Sequence, residues 1–502
     1  MQQQLPPSTR PRGDITTVLD IASRDSQDGY LFPLDTKNSW FSREPVRYTP
    51  STLNIQDFVH KGTAEWGGRL TFELNALQVG DMLQGVAVQF RLGHWYPQQA
   101  ILNLLSGKWT VDTSSGYVPW TYMNGLGAAI IDWAEFVIGD QTVERITGEF
   151  IKTYLSLGST VNGVFGYASD GIGFYDNPEG TVITANRPWP TENGQYTSIL
   201  PFFMFRSLYN ETLPIMSCAE GTVRVNIQLR PFQQVVRILS ANRSRTSCDE
   251  TPLGGTAVFR DASGVQYSMA TATQPPPFAD FRLITFAHYV GAELRTAYIH
   301  RPVEQIHQFT QLFAFDEPLR YSVNKTNPNT DSVDISLPLE LNHPVKELFW
   351  VFRRKAVVVN NEWLNFRPYV ESQFDASQTI TVPWLEYATL RVNGQILEQA
   401  EGNWWRSAFA RKHTGGYLTY VNNTYGYVFS RQPEEHQPTG YANMSKAHTV
   451  RLNMTVTVPP PVAVPVGGFE QGTSQGWEVF VFVIHYNWLR FENGLCQKIF
   501  SD

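Results

Sequence analysis

Three places in this chain carry residue types that could do chemistry. Gly472-Thr473-Ser474-Gln475-Gly476 has the Gly-x-Ser-x-Gly spacing that can hold a serine nucleophile on a sharp turn. Glu434-Glu435-His436 sets two carboxylates beside an imidazole, a group that titrates near neutrality and can move a proton. Cys218, Cys248 and Cys496 are the three thiols.

Each loses its catalytic reading on context. A nucleophile turn needs a strand entering and a helix leaving, whereas here a Pro-rich loop enters and a strand, Trp477 to Ile484, leaves. Adjacent strand residues face opposite ways, so Glu434, Glu435 and His436 read as polar groups that satisfy backbone where a loop enters a strand. The thiols are widely spaced, without the Cys-x-x-Cys pairing of zinc or redox sites. The chain therefore reads as reduced, as in a cytosolic or nuclear compartment. No Walker-type loop, dinucleotide fingerprint or His-Glu-x-x-His pattern is present, so no cofactor and no metal is expected. Carboxylates that meet only in the fold could still form a glycosidase pair. That keeps a β-sandwich carbohydrate-active or carbohydrate-binding protein as the rival reading, with Trp404-Trp405 as its sugar-stacking platform. The alternative is that these paired aromatics, following Gly402-Asn403, are loop anchors packed against a neighbour or against their own tower.

The elements that must position these residues are strands. Val223, Val225, Ile227 and Leu229 alternate with Arg224, Asn226, Gln228 and Arg230, the period-two signature of a half-buried strand. The same alternation marks Leu70-Phe72-Leu74, Val333 through Leu341, and Val450 through Val458. Asn393-Gly394 favours a type I′ hairpin, because both positions can take positive φ at little cost. Helical periodicity is sparse, and Val303 to Phe313 and Glu149 to Leu157 are the expected short helices. His343 precedes Pro344 and reads as a strand-end turn residue.

With 502 residues, two large β domains fit the length, since such domains reach roughly 200 to 250 residues each. Charged residues are only 17% and aromatics 13%, a balance that implies extensive buried or interfacial surface. A net charge of −7 and a pI near 5.9 argue against coating nucleic acid by phosphate neutralisation. The basic stretch Arg406 to Lys412 reads as a solvated loop face. Met1 to Arg10 lacks the apolar core of a signal peptide, so no export leader is expected. The apolar run Val479 to Ile484 is far shorter than the ~18 residues of a membrane span. Asn-x-Ser/Thr sequons at Asn210, Asn242, Asn422 and Asn443 would be modified only if exposed to a glycosylating enzyme.

Two segments carry a family resemblance. One is Leu337-Pro338-Leu339-Glu340-Leu341-Asn342-His343-Pro344-Val345-Lys346-Glu347-Leu348-Phe349-Trp350. The other is Pro433-Glu434-Glu435-His436-Gln437-Pro438-Thr439-Gly440-Tyr441-Ala442-Asn443-Met444-Ser445. Both resemble signature stretches of the major capsid proteins of nucleocytoplasmic large DNA viruses, and they stand in family order. Asn393-Gly394 is similar to the family's Leu-x-x-Asn-Gly hairpin. Tyr486-Asn487-Trp488-Leu489-Arg490 with Gly494 is similar to its closing strand. Looser matches lie at Tyr48-Thr49-Pro50, Gly80 to Leu83, Ile138 to Gln141 and Leu200 to Phe205, so the likeness spans about positions 40 to 494. Where the family has an acidic, arginine-rich stretch, this sequence reads Tyr298 to Ile306, and no contacts are carried over there.

The resemblance implies an all-β chain of two tandem eight-stranded jelly rolls, a double jelly roll, with long surface loops and a few short helices. The expected division is an N-terminal arm at 1–29, a first jelly roll at 30–232, a linker or extended loop at 233–279 and a second jelly roll at 280–502. It also implies a structural, non-enzymatic protein that forms homotrimeric, pseudo-hexagonal capsomers in an icosahedral shell. The expected partners are the chain itself, neighbouring capsomers, and minor capsid, cement and penton proteins. Contact with an inner membrane would be indirect and direct nucleic-acid contact is not expected. The place is the virion capsid, assembled in the host cytoplasm or a virus factory. Segments 158–198 and 396–430, rich in Gly, Asn and Tyr, are expected as outer loops.

Overall fold

The computed structural model describes residues 50–92, 100–103, 108–111, 120–122, 125–157, 195–206, 212–218, 221–238, 258–260, 266–268, 278–317, 332–355, 363–366, 384–413, 423–433, 438–457, 463–464, 468–469 and 476–500. The arm 1–29, Tyr48-Thr49, segment 158–194, Cys248, the sequons at Asn210, Asn242 and Asn422, Glu434 to Gln437 (with Glu435 and Gln437) and Gly472 to Gln475 lie outside the described residues.

Eight strands build the first sandwich: β1 (Ser51–Val59), β2 (Arg69–Leu74), β3 (Met82–Leu92), β4 (Ile131–Ile138), β5 (Gln141–Thr147), β6 (Gln195–Leu200), β7 (Val223–Leu229) and β8 (Phe278–Val290). They form two antiparallel four-stranded sheets, ordered β1-β8-β3-β6 and β2-β7-β4-β5. Alternation does what the sequence requires of it: Leu70, Phe72, Val225 and Ile227 face Val86, Val88 and Phe90 in a common core while their neighbours point out. Helix α1 (Gly148–Leu157) follows β5 without a connecting loop.

A second helix, α2 (Ala292–His300), leads into β9 (Val303–Glu317), β10 (Ser332–Leu339), β11 (Pro344–Arg354), β12 (Leu385–Val392) and β13 (Gln395–Glu401). After α3 (Gly402–Lys412) come β14 (Tyr425–Val428), the short β15 (Ala442–Asn443), β16 (Val450–Thr457), β17 (Trp477–Glu492) and β18 (Leu495–Lys498). The principal sheets are β9-β17-β11-β14 and β10-β16-β12-β13, with β15 added to β11 and β18 to β17. The order repeats that of the first sandwich strand for strand, so the chain is two jelly rolls in tandem.

Strands β11 and β17 are buried on both faces. Leu348, Trp350, Phe352, Val479 and Val481 fill the second core, whereas Phe349, Val351, Phe482 and Ile484 join the core of the first sandwich. Phe150 of α1 stands 6.4 Å from Phe349 and 5.4 Å from Phe482, ring centre to ring centre. Strands covered on both sides read as continuous apolar runs rather than alternation, which explains Val479 to Ile484.

Four expectations change. Val303 to Phe313 is not a helix but most of β9, paired residue for residue with β17 from Val303 opposite Phe491 to Glu317 opposite Trp477. Segment 396–430 is not one long loop: it contains most of β13, all of α3, and β14. Arg406 to Lys412, expected as a loop face, is the C-terminal part of α3, where Arg411 and Lys412 complement the helix dipole. Finally β8, which straddles the expected start of the second half at 280, pairs with β1 and β3. The chain between β7 and β8 therefore joins two strands of one sandwich, which keeps the extended-loop reading and moves the start of the second sandwich beyond Val290. Helix Glu149 to Leu157 and the Asn393-Gly394 hairpin stand as expected, the latter with φ of 50° and 80°.

Candidate functional site

The junction between the sandwiches is built from charge as well as apolar side chains. Glu149, in the first turn of α1, accepts from Arg230 Nη2 at 2.9 Å and from Arg353 Nη1 at 2.7 Å on the same carboxylate oxygen. Arg230 follows β7 and Arg353 lies in β11, so one carboxylate ties the two halves together. Arg353 also donates to Glu478 at 2.8 Å and to the Trp363 carbonyl at 3.0 Å, and both guanidinium groups lie over the Trp363 ring. Burial would raise the Glu149 pKa, but the charges of Arg230 and Arg353 outweigh it and hold the carboxyl at about 2.

A second bridge uses Glu144 of β5. It pairs with Arg206 and accepts from the backbone N–H groups of Phe203 and Thr310, at 2.7 and 2.8 Å. Arg206 in turn donates to the Gln308 carbonyl of β9 at 2.8 Å. Burial pushes the Glu144 carboxyl up despite Arg206 beside it. Lys152 of α1 crosses to the Leu364 carbonyl at 2.7 Å.

The signature residues converge beside this junction, because β11 pairs with both β15 and β17. A bulge between Val345 and Glu347 turns Lys346 inward, where its ammonium donates at 2.6 Å both to Gln308 Oε1 and to the Pro433 carbonyl. Glu347, fully buried, lies 3.3 Å from Lys346 Nζ and 2.8 Å from His413 Nε2 at the end of α3. Burial would raise its pKa; Lys346 and His413 overcome that and set it at about 2.

His343 sits in the left-handed region at φ 67°, stacked on His485 at 4.9 Å, with its N–H on Ser445 Oγ at 2.9 Å. Pro344 starts β11 opposite Asn443, whose buried side chain accepts from the Ser445 N–H at 3.2 Å. Asn443 is 0% exposed, so the folded chain offers this sequon no amide to glycosylate. Asn342 is exposed. Pro438 and Gly440 lie in a turn closed by Thr439 onto Gln432. Trp350 is buried in the second core. Asn393 Oδ1 accepts from the His448 and Thr449 N–H groups at 2.7 and 3.2 Å, and Gly394 completes the turn. Tyr486 packs in a small cluster with Trp488, Asn487 donates to the Phe500 carbonyl at 2.8 Å, and Arg490 pairs with Glu492 at 2.7 Å. Gly494, at φ 78°, follows Asn493 in the turn to β18.

Lys346, His343, Asn443, Ser445 and Asn487 spend hydrogen bonds on other groups of the same chain, which makes the cluster a fastening. Among the described residues no group of His, Cys, Asp and Glu could hold a metal ion, and no helix is long and apolar enough to cross a membrane. Trp405, expected as a loop anchor or a sugar platform, is an anchor on a helix. It is 0% exposed, donates to the Ala400 carbonyl at 3.1 Å and lies 5.5 Å from the Trp350 ring.

The depressed carboxyls make the fold acid-sensitive. A carboxyl held at about 2 in the folded chain, against an unperturbed 4.5, contributes stability above pH 4.5 that is lost as pH falls toward 2. For Glu149 and Glu347 the limit is about 3 kcal/mol each. Glu144, shifted upward, acts in the opposite sense and offsets part of the loss. The melting temperature is expected to fall between pH 5 and pH 3, less steeply in Glu347→Gln. An unchanged slope in that variant would remove Glu347 as a source.

Comparison with known proteins places this architecture. Residues 310–496 match the family model described as large eukaryotic DNA virus major capsid protein. The major capsid protein of Pyramimonas orientalis virus is 26% identical over 218 residues, 42% of this chain and 49% of that protein. The chain thus spans about half the length of the curated relative it matches. Among solved structures, PBCV-1 VP54 superposes with a TM-score of 0.62 at 17% identity, covering 92% of this chain and all of that one. The Faustovirus major capsid protein gives 0.56 at 11% identity, covering 91% and 93%. At such identities the structural likeness is one of fold, and that fold is the double jelly roll. The resemblance carried by the motifs around His343 and Asn443 is thereby shown.

Proposed function

We propose that this chain, whose residues 310–496 match the large eukaryotic DNA virus major capsid proteins, is itself a structural major capsid protein and not an enzyme. Three copies close into a pseudo-hexagonal capsomer of a large icosahedral double-stranded DNA virus. The observation that carries this reading is the buried junction. Glu149, Arg230, Arg353 and the doubly covered strands β11 and β17 hold two sandwiches of the same strand order as one rigid unit. Three such units present six similar towers, which is what a hexagonal tile needs.

A sheet edge supports the same reading. Among the described residues strand β1 ends its sheet, and Leu53, Ile55 and Val59 are 51%, 53% and 72% exposed on one face of it. An apolar sheet edge is a template for pairing, and closure with further copies covers it. The two towers of the chain are the sandwiches that begin at β1 and end at β8, and begin at β9 and end at β18, with α2 between them. The remaining partners follow from the shell: neighbouring capsomers, minor capsid, cement and penton proteins, and indirect contact with an inner membrane. The shell is assembled in the host cytoplasm or a virus factory.

Light scattering on the purified chain, with negative-stain imaging of the same peak, tests this. A stable species of three times the 57.0 kDa chain mass with hexagonal outlines is expected. Interfaces of that kind often exceed ~2,000 Å², so the trimer should persist on dilution. A well-folded monomer would overturn the trimer.

A further inference from the structure

Cys218 and Cys496 belong to different sandwiches and meet at their boundary. Cys218 ends a buried 3-10 turn, Ile215–Cys218, just before β7, and Cys496 lies in β18, the last strand of the chain. The turn and the strand pack on each other. Cys218 is 3% exposed and part of the first core; Cys496 packs against that core from a half-buried position. Cys218 is close enough to push the Cys496 thiol up.

We propose that Cys218 and Cys496 form a dithiol site that a small-molecule disulfide converts into a cross-link between the two sandwiches. The Cys496 thiolate, the more accessible of the two, attacks the incoming disulfide and expels one thiolate, leaving a mixed disulfide on Cys496. Cys218 then gives up its proton and attacks the Cys496 sulfur, expelling the second thiolate. Two cysteine thiols lose two protons and two electrons, and the small disulfide is reduced to two thiols.

The neighbouring Cys218 and burial both push the Cys496 thiol up, so at neutral pH it stays protonated and exchange is slow. The site therefore remains reduced during synthesis in a reducing compartment and closes after long exposure to an oxidising one. More than half of the chain lies between the two cysteines, so the cross-link would restrict the unfolded ensemble strongly. None of this depends on the capsid reading.

The test incubates the full chain with oxidised glutathione at pH 7 to 9, followed by non-reducing peptide mapping. The expected product is a Cys218–Cys496 linked peptide, formed faster at higher pH, with an upward shift in Tm that dithiothreitol reverses. Cys248→Ser keeps both effects; Cys218→Ser and Cys496→Ser each lose them. The proposal is overturned if Cys496 retains a glutathione adduct while Cys218 stays alkylatable in the unfolded digest. It is equally overturned if oxidation links Cys248 instead, or yields no cross-link at any pH. Wild-type mapping alone decides the matter where a variant fails to fold.

Discussion

Replacing Glu149 by alanine will lower the stability of the folded chain by about 3–5 kcal/mol, the cost of leaving a buried charge without its partner. The effect falls unequally on the two arginines. Arg353 keeps Glu478 at 2.8 Å and the Trp363 carbonyl at 3.0 Å. Among the described residues Arg230 keeps the Trp363 ring and one carboxylate, Asp132, at 3.7 Å and half exposed, so its guanidinium is the group left buried and poorly compensated. Removing Arg230 together with the carboxylate should therefore restore much of the loss. The variant Glu149→Leu with Arg230→Met is expected to melt closer to wild type than Glu149→Ala does, because a well-packed apolar pair avoids the desolvation that the charges require. Urea unfolding followed by tryptophan fluorescence measures both. A loss below 1 kcal/mol in Glu149→Ala would mean that the junction is held without this carboxylate, by Phe150, Phe349 and Phe482 and by the Glu144–Arg206 bridge. That outcome would also weaken the view of the two sandwiches as one rigid unit.

Glu149 shows why a junction of this kind is hard to read from a sequence. It stands in a short amphipathic segment beside Phe150 and Ile151, where a charged residue is ordinarily on the wet face. Its partners lie 81 and 204 positions away. Nothing local encodes that meeting. Arg353 and Arg206 gave a weak signal, each closing an apolar run, Phe349 to Phe352 and Phe202 to Phe205. Strands with one face in one core were legible: β7, β10 and β16 alternate cleanly because water and protein take turns along them. Strand β9 was misread for a physical reason. Its Phe309 and Leu312 join the first core while Phe313 and Phe315 join the second, so its apolar positions break period two and imitate helical spacing. Helix α2 has no buried residue and so carries no stripe to detect. Helix α3 did carry one, in Trp405 and Phe409 four residues apart, but two apolar positions are too few to mark a stripe. The motif segments were legible as a set, but their convergence on Lys346 required the pairing of β11 with β15 and β17.

Helix α3 also offers the sharpest steric test. A Cβ on Gly402, its first residue, would lie 1.9 Å from the Leu385 carbonyl oxygen and 2.8 Å from its carbon. Leu385 is buried and opens β12 opposite Val456 of β16, so a shift of its carbonyl would disturb the start of that strand. The helix must lift instead, and it carries its buried face with it. Trp405 would leave Trp350, Phe409 would leave Phe349 at 5.7 Å, and His413 would draw away from Glu347. The Phe409 ring has little room to adjust, since it lies where a Cβ on Gly426 would meet it at 2.6 Å. Gly402→Ala is therefore expected to cost about 3 kcal/mol, at the upper end for overpacking. Its tryptophan emission should shift to the red as Trp405 becomes wet. Gly291→Ala is the control: it stands just before α2, a Cβ there meets nothing within 4 Å, and its φ is −63°. Its change should stay within about 0.5 kcal/mol. Equal melting of the two variants would show that α3 is free to ride over β12. The contacts from Trp405 to Trp350 and from His413 to Glu347 would then be consequences of folding rather than conditions for it.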